Sequence, residues 1–469
     1  MTTSIGDLSE DLLLKIYDDN LRDRPSLLAA VKVNKRWYEA LTKLLWRRAP
    51  KSALCPIQSL SLRQARAEHM TKIENITSSD RTDHQHLEFK SLKSVDIHIT
   101  DTSNMASFRP YLQVGLEIVR FTSPVEFTPE IVDGLKKCTN INTLVFLQRL
   151  NTSDTRLLID FFRGFEHLRS VYFEHPIHLV EQRNSTCLSA AICAAMLDQS
   201  TVQSLSIHHE LGSDFEQLQK SMTNPTPINK VSYLSLRGAF YCISPVLSVV
   251  VRTLTTLNLR ITTSGIGGTC ALIGRLSQLR FLVLQLPPDT GLQHHDLEAL
   301  GGLSTLYHLW ITTSRDTMTS PLSLVWLSDE DFMQWLTRFE CLQDLRLHWL
   351  CPLLGQESFV TIATHCSELR ACEISWNLDL RAWQYLKDMA YTMLKLRYLT
   401  ISEVDAFGGP GLDVEEVKTA AEEHINTLRS IAPNLLEFDA SERSNESLVL
   451  RDAFSPLIGP LDYDSVYEM

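Results

Sequence analysis

One short pattern recurs along most of this 469-residue chain and constrains its fold more than any other feature. An apolar residue is followed three and five positions later by two more, as in LTTLNLRI, LRFLVLQL and LQDLRLHW. Successive copies begin 23 to 39 residues apart, and most intervals lie between 23 and 29. The thirteen copies begin at Leu92, Leu116, Ile141, Leu168, Val202, Val231, Leu254, Leu279, Leu306, Leu342, Leu369, Leu396 and Leu435.

Each copy predicts a short strand, because apolar residues that alternate along a strand bury one of its faces. Several stretches between the copies predict helices, namely CLSAAICAAMLDQ, CALIGRLSQ, DEDFMQWLTRF and VEEVKTAAEEHINTL. One of them has a helix start signal in which Ser328 precedes Asp331 by three residues. A strand and a returning helix at this period are typical of leucine-rich repeats.

We therefore predict an α/β chain whose residues 87–440 form a leucine-rich-repeat solenoid of about 13 irregular coils. The expected architecture is a curved parallel sheet with the helices on its convex side. The alternative is an α/β sheet protein without repeat symmetry. A polar and acidic tail is expected over residues 441–469.

Residues 4–50 differ from the rest because they show no strand-like alternation. Ser9 precedes two acidic residues and predicts the N-cap of a first helix. A second helical pattern follows Pro25, and a third ends near Trp46. Three short helices bury only a small core, and a module of this kind tends to expose an apolar face that a partner covers. A connecting helix (57–73) and a polar loop are expected within residues 51–86.

The residues of this N-terminal module resemble an F-box in their order and spacing. The resemblance rests on Leu8-x-Glu10, Leu12-Leu13, Ile16, Leu27-Leu28, the run Val31-x-Val33-x-Lys35-Arg36-Trp37-Tyr38 and a closing Leu45-Trp46-Arg47. Ser9 stands where the family usually has proline, and Asn34 where it often has cysteine. With its repeats, the chain is similar to F-box proteins with leucine-rich repeats, and its irregular coils are similar to those of fungal-type members. The alternative is a generic helical cap on the repeats.

The resemblance implies a function without catalysis. F-box proteins dock a Skp-type adaptor of a cullin–RING ubiquitin ligase, so this chain would be the substrate-recognition subunit of an SCF-type (Skp–cullin–F-box) E3 ligase. The adaptor-binding residues that it implies are Leu8, Leu12, Leu13, Ile16, Val33 and Trp37. The alternative is a non-catalytic interaction scaffold whose F-box is vestigial or serves a complex without ligase activity.

The alternation also predicts where a protein substrate binds. In each copy the residues two, four and six positions after the first face the concave side of the sheet. Trp, Tyr and Arg dominate binding hot spots, and on this face they concentrate in the late coils. The predicted substrate-binding residues are Trp310, Arg346, His348, Trp349 and Trp376. An insertion at 312–327 is expected to overhang the same face.

No motif supports a catalytic site, a cofactor or a metal. In SGIGGTCALIG, Gly265 and Gly267 fit a phosphate loop, but Cys270 replaces the third glycine and no lysine follows. The histidine pairs His208–His209 and His294–His295 have no further ligands at fixed spacing. We therefore expect neither an enzyme nor a cofactor-binding protein.

Charge and cysteine content limit which partners and which cellular compartments we expect for this protein. The net charge is −12, and residues 401–469 hold four Lys and Arg against fifteen Asp and Glu, which argues against a nucleic-acid partner. No apolar run approaches the 18 residues of a membrane span, and the N-terminus lacks the pattern of a signal peptide. Ten scattered cysteines without a CxxC pair predict buried, reduced thiols. We expect a cytoplasmic or nuclear protein that does not bind membranes.

Overall fold

The computed structural model describes most of the chain, and the chain divides into two compact units. The first unit holds residues 1–209 and 217–230, and the second holds 210–216 and 231–469. The structure describes residues 9–18, 24–47, 49–77, 84–99, 108–122, 125–126, 128–147, 150–151, 155–174, 188–222, 230–250, 252–263, 268–313, 321–404, 414–440, 449–450 and 453. No helix within these ranges has the length and apolar character that crossing a membrane requires.

The first unit begins with three short helices that share one small core, which we call the N-terminal module. The helices are α1 (Glu10–Asp18), α2 (Arg24–Ala30) and α3 (Lys35–Arg47). The buried residues of this core are Leu13, Leu27, Ala30, Trp37, Leu41 and Leu44. Two short polar side chains fix the helix starts, as their ability to accept a backbone hydrogen bond predicts. Ser9 Oγ accepts from the N–H of Leu12 at 3.3 Å, and Asn34 Oδ1 accepts from that of Trp37 at 2.9 Å.

The rest of the first unit alternates strands with short helices. The helices are α4 (Leu60–Ala67), α5 (Pro129–Lys136), α6 (Thr155–Arg163), α7 (Ala190–Leu197) and α8 (Leu218–Ser221). The strands that begin in it are β1 (Lys72–Thr77), β2 (Ser94–His98), β3 (Ile118–Phe121), β4 (Val125–Glu126), β5 (Thr143–Phe146), β6 (Leu150–Asn151), β7 (Ser170–Phe173) and β8 (Ser204–Leu211). The main sheet has the parallel order β1-β2-β3-β5-β7-β8, and among the described strands β4 pairs only with β6.

The second unit repeats the same plan. Its helices are α9 (Phe240–Val250), α10 (Thr269–Ile273), α11 (His294–Leu300), α12 (Asp329–Leu336), α13 (Gln356–His365), α14 (Arg381–Asp388) and α15 (Val414–Ile431). Its strands are β9 (Tyr233–Gly238), β10 (Thr256–Ile261), β11 (Phe281–Leu286), β12 (His308–Thr313), β13 (Leu322–Ser323), β14 (Asp344–Leu347), β15 (Trp349–Leu350), β16 (Ala371–Leu378), β17 (Tyr398–Val404) and β18 (Glu437–Ala440). The main sheet has the parallel order β9-β10-β11-β12-β14-β16-β17-β18, and β13 pairs with β15.

The apolar pattern sets the repeat in both units. A main-sheet strand begins two residues after each of the thirteen pattern positions, and twelve of those thirteen residues are at most 2% exposed. Where neighbouring coils meet, one backbone carbonyl accepts two hydrogen bonds from the next coil. The oxygen of Thr255 accepts from the N–H groups of Arg280 at 2.8 Å and Phe281 at 3.0 Å, and that of Tyr307 from Gln343 and Asp344 at the same two distances. Parallel strands in sequence order, each preceded by a buried pattern residue, define a leucine-rich-repeat fold.

One coil precedes those that the pattern predicts, and the expected connecting helix is shorter than 57–73. The helix is limited to Leu60–Ala67, and Lys72–Thr77 already forms the first strand of the sheet. This strand has a bulge between Ile73 and Ile76, where Asn75 has φ of 54°. The extra residue moves the third apolar position from offset five to offset six, so the pattern does not match there.

The predicted helix start at Ser328 is confirmed. Ser328 Oγ accepts from the N–H of Asp331 at 3.2 Å, while Asp331 Oδ2 accepts from the N–H of Ser328 at 3.4 Å. Of the other three predicted helical stretches, the first contains α7, and the second and third overlap α10 and α15. Among the described glycines, Gly274 leaves the least room for a side chain, because an added Cβ would lie 2.3 Å from the carbonyl oxygen of Ala299.

The insertion at 312–327 enters the core rather than overhanging the sheet, as far as the structure describes it. Leu322, Leu324 and Leu327 are fully buried, and the indole N–H of Trp326 donates to the carbonyl of Leu292 at 2.8 Å. Several predicted features lie outside the described residues, namely Leu8, Gly265, Gly267, residues 314–320 and almost all of the tail over 441–469.

Candidate functional site

The sheet face of the second unit that the helices leave uncovered carries a cluster of aromatic and charged side chains. The strands β11, β12 and β16 largely alternate buried residues with half-buried or exposed ones, which is the pattern expected of a sheet with one packed face. In β14 only Arg346 is half-buried, and Asp344 on the same side of the strand is buried. We call this uncovered side the open face; it corresponds to the predicted concave face. The open-face cluster consists of Phe281, His308, Trp310, Asp344, Arg346, His348 and Glu373.

Trp310 and Arg346 lie at the centre of this cluster. Their Cα positions are partners in register on the neighbouring strands β12 and β14. The guanidinium carbon of Arg346 lies 4.0 Å from the centroid of the Trp310 ring, within cation–π distance. Both side chains are partly exposed, as predicted, and the guanidinium covers one face of the indole.

Two carboxylates fix the position of Arg346. Asp344, two residues earlier on the same strand, accepts from Arg346 Nε at 3.1 Å and from Nη2 at 3.3 Å. Glu373 is the register partner of Arg346 on β16, with an N–O distance of 3.9 Å. Glu373 also hydrogen-bonds to His348 Nε2, and His308 Nδ1 lies 3.7 Å from Asp344 Oδ2. The arginine is therefore held between two acids, each of which also contacts a histidine.

The environment keeps both carboxylates charged. Burial raises the pKa of Asp344, but the interaction with the nearby His308 and the charge and hydrogen bonds of Arg346 outweigh burial and lower its pKa below the ordinary aspartate value. Burial likewise raises the pKa of Glu373, and the hydrogen bond from His348 together with the charge of Arg346 brings the net pKa below that of an ordinary glutamate. At neutral pH the cluster is an ionic network that includes two charged acids and one arginine.

The aromatic side chains of the cluster stack across the strands. Phe281 is 40% exposed and stacks on His308 of the next strand, with ring centroids 4.3 Å apart and an interplanar angle of 13°. Trp310 lies two residues further along β12, and Arg346, which covers its ring, lies beside it on β14. The result is a platform of planar groups flanked by charges, which is a surface composition typical of protein-binding hot spots.

The placement of Trp349 and Trp376 on this face is wrong, because both are buried in the core. They are 0% and 1% exposed. Each lies seven positions after its pattern leucine, and odd offsets point to the same side as the buried residues at three and five. Both indoles contact Phe332 of α12, at centroid distances of 6.5 and 5.5 Å. The predicted patch therefore contains Trp310, Arg346 and His348, without these two tryptophans.

A second exposed surface lies on the N-terminal module. Leu12 and Ile16 of α1 are 45% and 43% exposed and lie one turn apart on one helix face, and Val33 is 54% exposed. Leu28 and Tyr38, each 46% exposed, add to the apolar surface of the module. Leu13 and Trp37, by contrast, are buried in its core and shape the module from within.

The sequence analysis correctly selected three side chains of the open-face cluster, but it did not select the other members of the cluster. Phe281, His308, Asp344 and Glu373 lie at even offsets, so the alternation placed them on the correct face, but nothing in a single copy shows which of them touch. The missing signal is opposite charge at the same offset in neighbouring coils. Arg346 and Glu373, both at offset four, are such a pair.

The described residues bring no group of three His, Cys, Asp or Glu side chains together in the way that would hold a metal ion. Burial raises the pKa of Cys138, Cys351 and Cys366 to about 12, so these thiols are protonated near neutral pH. What the two surfaces offer is contact area and charge for binding another macromolecule.

The fold and its exposed face define a leucine-rich-repeat protein. Neither a protein-family model nor a curated protein matches the sequence. Among solved structures, the chain is similar to a leucine-rich-repeat protein of Leptospira interrogans, with 14% identity over 86% of this chain and 91% of that one and a TM-score of 0.41. It is also similar to a chain in the complex of Rad7 and Elc1 in yeast, with 14% identity over 95% of this chain and 96% of that one and a TM-score of 0.41.

Proposed function

We propose that this protein is the substrate-recognition subunit of an SCF-type E3 ubiquitin ligase and catalyses no reaction itself. In this role the N-terminal module acts as an F-box that docks a Skp-type adaptor and, through it, a cullin–RING ligase. The open face of the repeats holds a protein substrate. Such a subunit acts in the cytoplasm or the nucleus.

The observation that carries the proposal is that some apolar residues of the module are buried in its core while others are exposed on its surface. The F-box-like pattern contributes Leu13 and Trp37 to the core and leaves Leu12, Ile16 and Val33 exposed. Apolar side chains exposed to water on one module are stabilised when a partner covers them. A partner that binds here needs an apolar groove of its own, as an adaptor for F-box helices would have.

The experiment is co-expression of the full chain with a Skp-type adaptor, followed by pull-down. The variant Leu12→Asp/Ile16→Asp places two charges on the exposed face of α1 without altering the buried core. We expect it to lose adaptor binding, because an uncompensated charge at an apolar interface is strongly unfavourable. The matched control is Leu353→Asp, which changes a leucine that is 55% exposed in the second unit and should bind the adaptor as the unaltered chain does. Undiminished binding by the double variant would contradict the F-box assignment.

The second candidate function is an interaction scaffold that binds an adaptor without forming an active ligase. Ser9 favours it, because this residue replaces the proline usual in F-boxes and instead caps α1. The two functions predict different outcomes. If the chain is a ligase subunit, cullin co-purifies with it, and deletion of residues 1–50 stabilises the substrate in cells. If the chain is a scaffold, cullin does not co-purify with it.

A further inference from the structure

The open face of the last four main strands is acidic. Along β14, β16, β17 and β18 the register aligns Asp344 with Ala371, Tyr398 and Glu437, and it aligns Arg346 with Glu373, Thr400 and Asp439. We call Glu373, Glu437 and Asp439 the acidic row; Asp344 is buried and accepts two hydrogen bonds from Arg346, so it is not counted with them. Adjacent strands are about 4.8 Å apart, so the row extends roughly 10 Å from β16 to β18. This distance matches about three residues of an extended chain.

The charges on this face are only partly compensated. Arg346 donates from two nitrogens to Asp344 and lies farther from Glu373. Glu373 has His348 as its hydrogen-bond partner. Within the described part of the chain, no ion pair joins Glu437 or Asp439 to a basic side chain. The end of the row on β18 therefore presents two carboxylates that no cation of the described residues neutralises.

The titration of Glu437 reflects the same imbalance. Burial raises the pKa of Glu437, and the negative charge of Asp439 on the same strand raises it further. A neighbouring cation would lower this pKa, as Arg346 helps to do for Asp344. The arrangement is electrostatically unfavourable in the isolated chain, and a positively charged partner would relieve it.

One aromatic side chain accompanies the acids. Tyr398 is half-buried and is the register partner of Glu437 on the neighbouring strand. Acids next to exposed aromatic rings favour arginine and lysine side chains, since a cation can pair with the carboxylate while its methylenes or guanidinium plane pack on the ring. Both elements of the surface therefore favour the same kind of side chain.

We propose that the acidic row binds an extended segment of a partner protein that carries lysine or arginine residues. The inference rests on the proposed function in so far as that function assigns the open face to the substrate, and it adds the chemistry by which the substrate is recognised. Glu437 and Asp439 bind the basic side chains of the segment, and Tyr398 packs against the methylenes or guanidinium planes of these side chains.

The test selects a displayed library of random twelve-residue peptides on the immobilised full chain. The same selection runs on the open-face variant Glu437→Gln/Asp439→Asn. It also runs on Glu422→Gln/Glu423→Gln, which removes two charges from exposed positions on the outer helix α15 of the same coil. The dissociation constant of the most enriched peptide is then measured by fluorescence anisotropy at two salt concentrations, and adaptor pull-down is run on each variant.

We expect peptides enriched in Lys and Arg from the unaltered chain and from the α15 variant, with similar affinity. The open-face variant should bind the same peptide about tenfold more weakly, and added salt should weaken binding to the unaltered chain. The proposal is overturned if the selected peptides show no preference for Lys and Arg. It is also overturned if the two variants lose affinity equally, because the net negative charge of the chain would then explain peptide binding without a specific site. Adaptor binding by both variants is a separate readout, so a failure of the F-box assignment remains distinguishable.

Discussion

The guanidinium of Arg346 lies 4.0 Å above the indole of Trp310, and the two residues are register partners on neighbouring strands. Asp344 and Glu373 hold that guanidinium from two sides. The pair therefore joins the aromatic part of the open face to its charged part. It also couples three strands of the repeat, since the four residues lie on β12, β14 and β16.

The tryptophans of this region should separate into core and surface residues by their effect on stability. Trp349→Ala and Trp376→Ala each remove a fully buried ring that packs on Phe332, and each should lower the free energy of unfolding by about 3–5 kcal/mol. Trp310→Ala removes a partly exposed ring and its cation–π contact and should cost about 1 kcal/mol. Urea unfolding followed by circular dichroism measures all three variants. Similar losses in all three would contradict the placement of Trp310 on the open face.

The ionic network should make stability depend on pH in the acid range. The pKa of Asp344 in the folded chain is below its ordinary value, so its contribution to stability is present above about pH 4 and is lost as the pH falls through the folded-state pKa. Asp344→Asn removes that contribution, and its unfolding midpoint should fall less than that of the unaltered chain between pH 7 and pH 3. Glu340→Gln, at an exposed position, is the control. If Asp344→Asn and Glu340→Gln show the same pH dependence, Asp344 is not part of such a network.

Two glycines allow a test of coil packing. A Cβ on Gly274 would lie 2.3 Å from the carbonyl oxygen of Ala299, so Gly274→Ala must displace the backbone between α10 and α11. We expect a loss of about 1–3 kcal/mol. A Cβ on Gly291 would meet only Gln293 Nε2, at 3.8 Å, and Gly291→Ala should leave the melting temperature unchanged or slightly raised. The measurement is the melting temperature of the two variants. Equal melting temperatures would show that the coils are not packed this closely.

The bulge in β1 depends on a left-handed residue. Asn75 has φ of 54°, a conformation that glycine adopts easily and a β-branched residue does not. Asn75→Gly should therefore be tolerated, whereas Asn75→Val should cost about 1–2 kcal/mol. The measurement is the urea midpoint of both variants. A valine variant as stable as the glycine variant would mean that the strand has no bulge and that its register differs.

Most of the fold follows from local sequence, because a repeat buries the same positions in every coil. Each of the thirteen pattern residues lies two positions before a strand, and alternation alone places Trp310 and Arg346 on the open face. The same rule excludes Trp376, which directly follows the open-face residue Ser375 and must point the other way. The prediction erred there by treating adjacent residues as one surface.

What the sequence does not reveal is set by contacts between coils. The pairing of Arg346 with Glu373 depends on register across 27 residues of chain, and the bulge at Asn75 depends on a backbone conformation that no apolar pattern records. The exposed residues Leu12 and Ile16 of the N-terminal module are distinguished from the buried Leu13 only by helix phase. The F-box-like motif includes all three residues, but it does not show which of them are exposed and which are buried.

The most direct test of the central claim is hydrogen–deuterium exchange of the full chain with and without a purified Skp-type adaptor. Docking through the N-terminal module should slow exchange in α1, in α2 and in the turn before α3 that holds Val33, and should leave the strands of the second unit unchanged. Protection confined to the repeats, or no protection in the N-terminal module at saturating adaptor, would contradict the account.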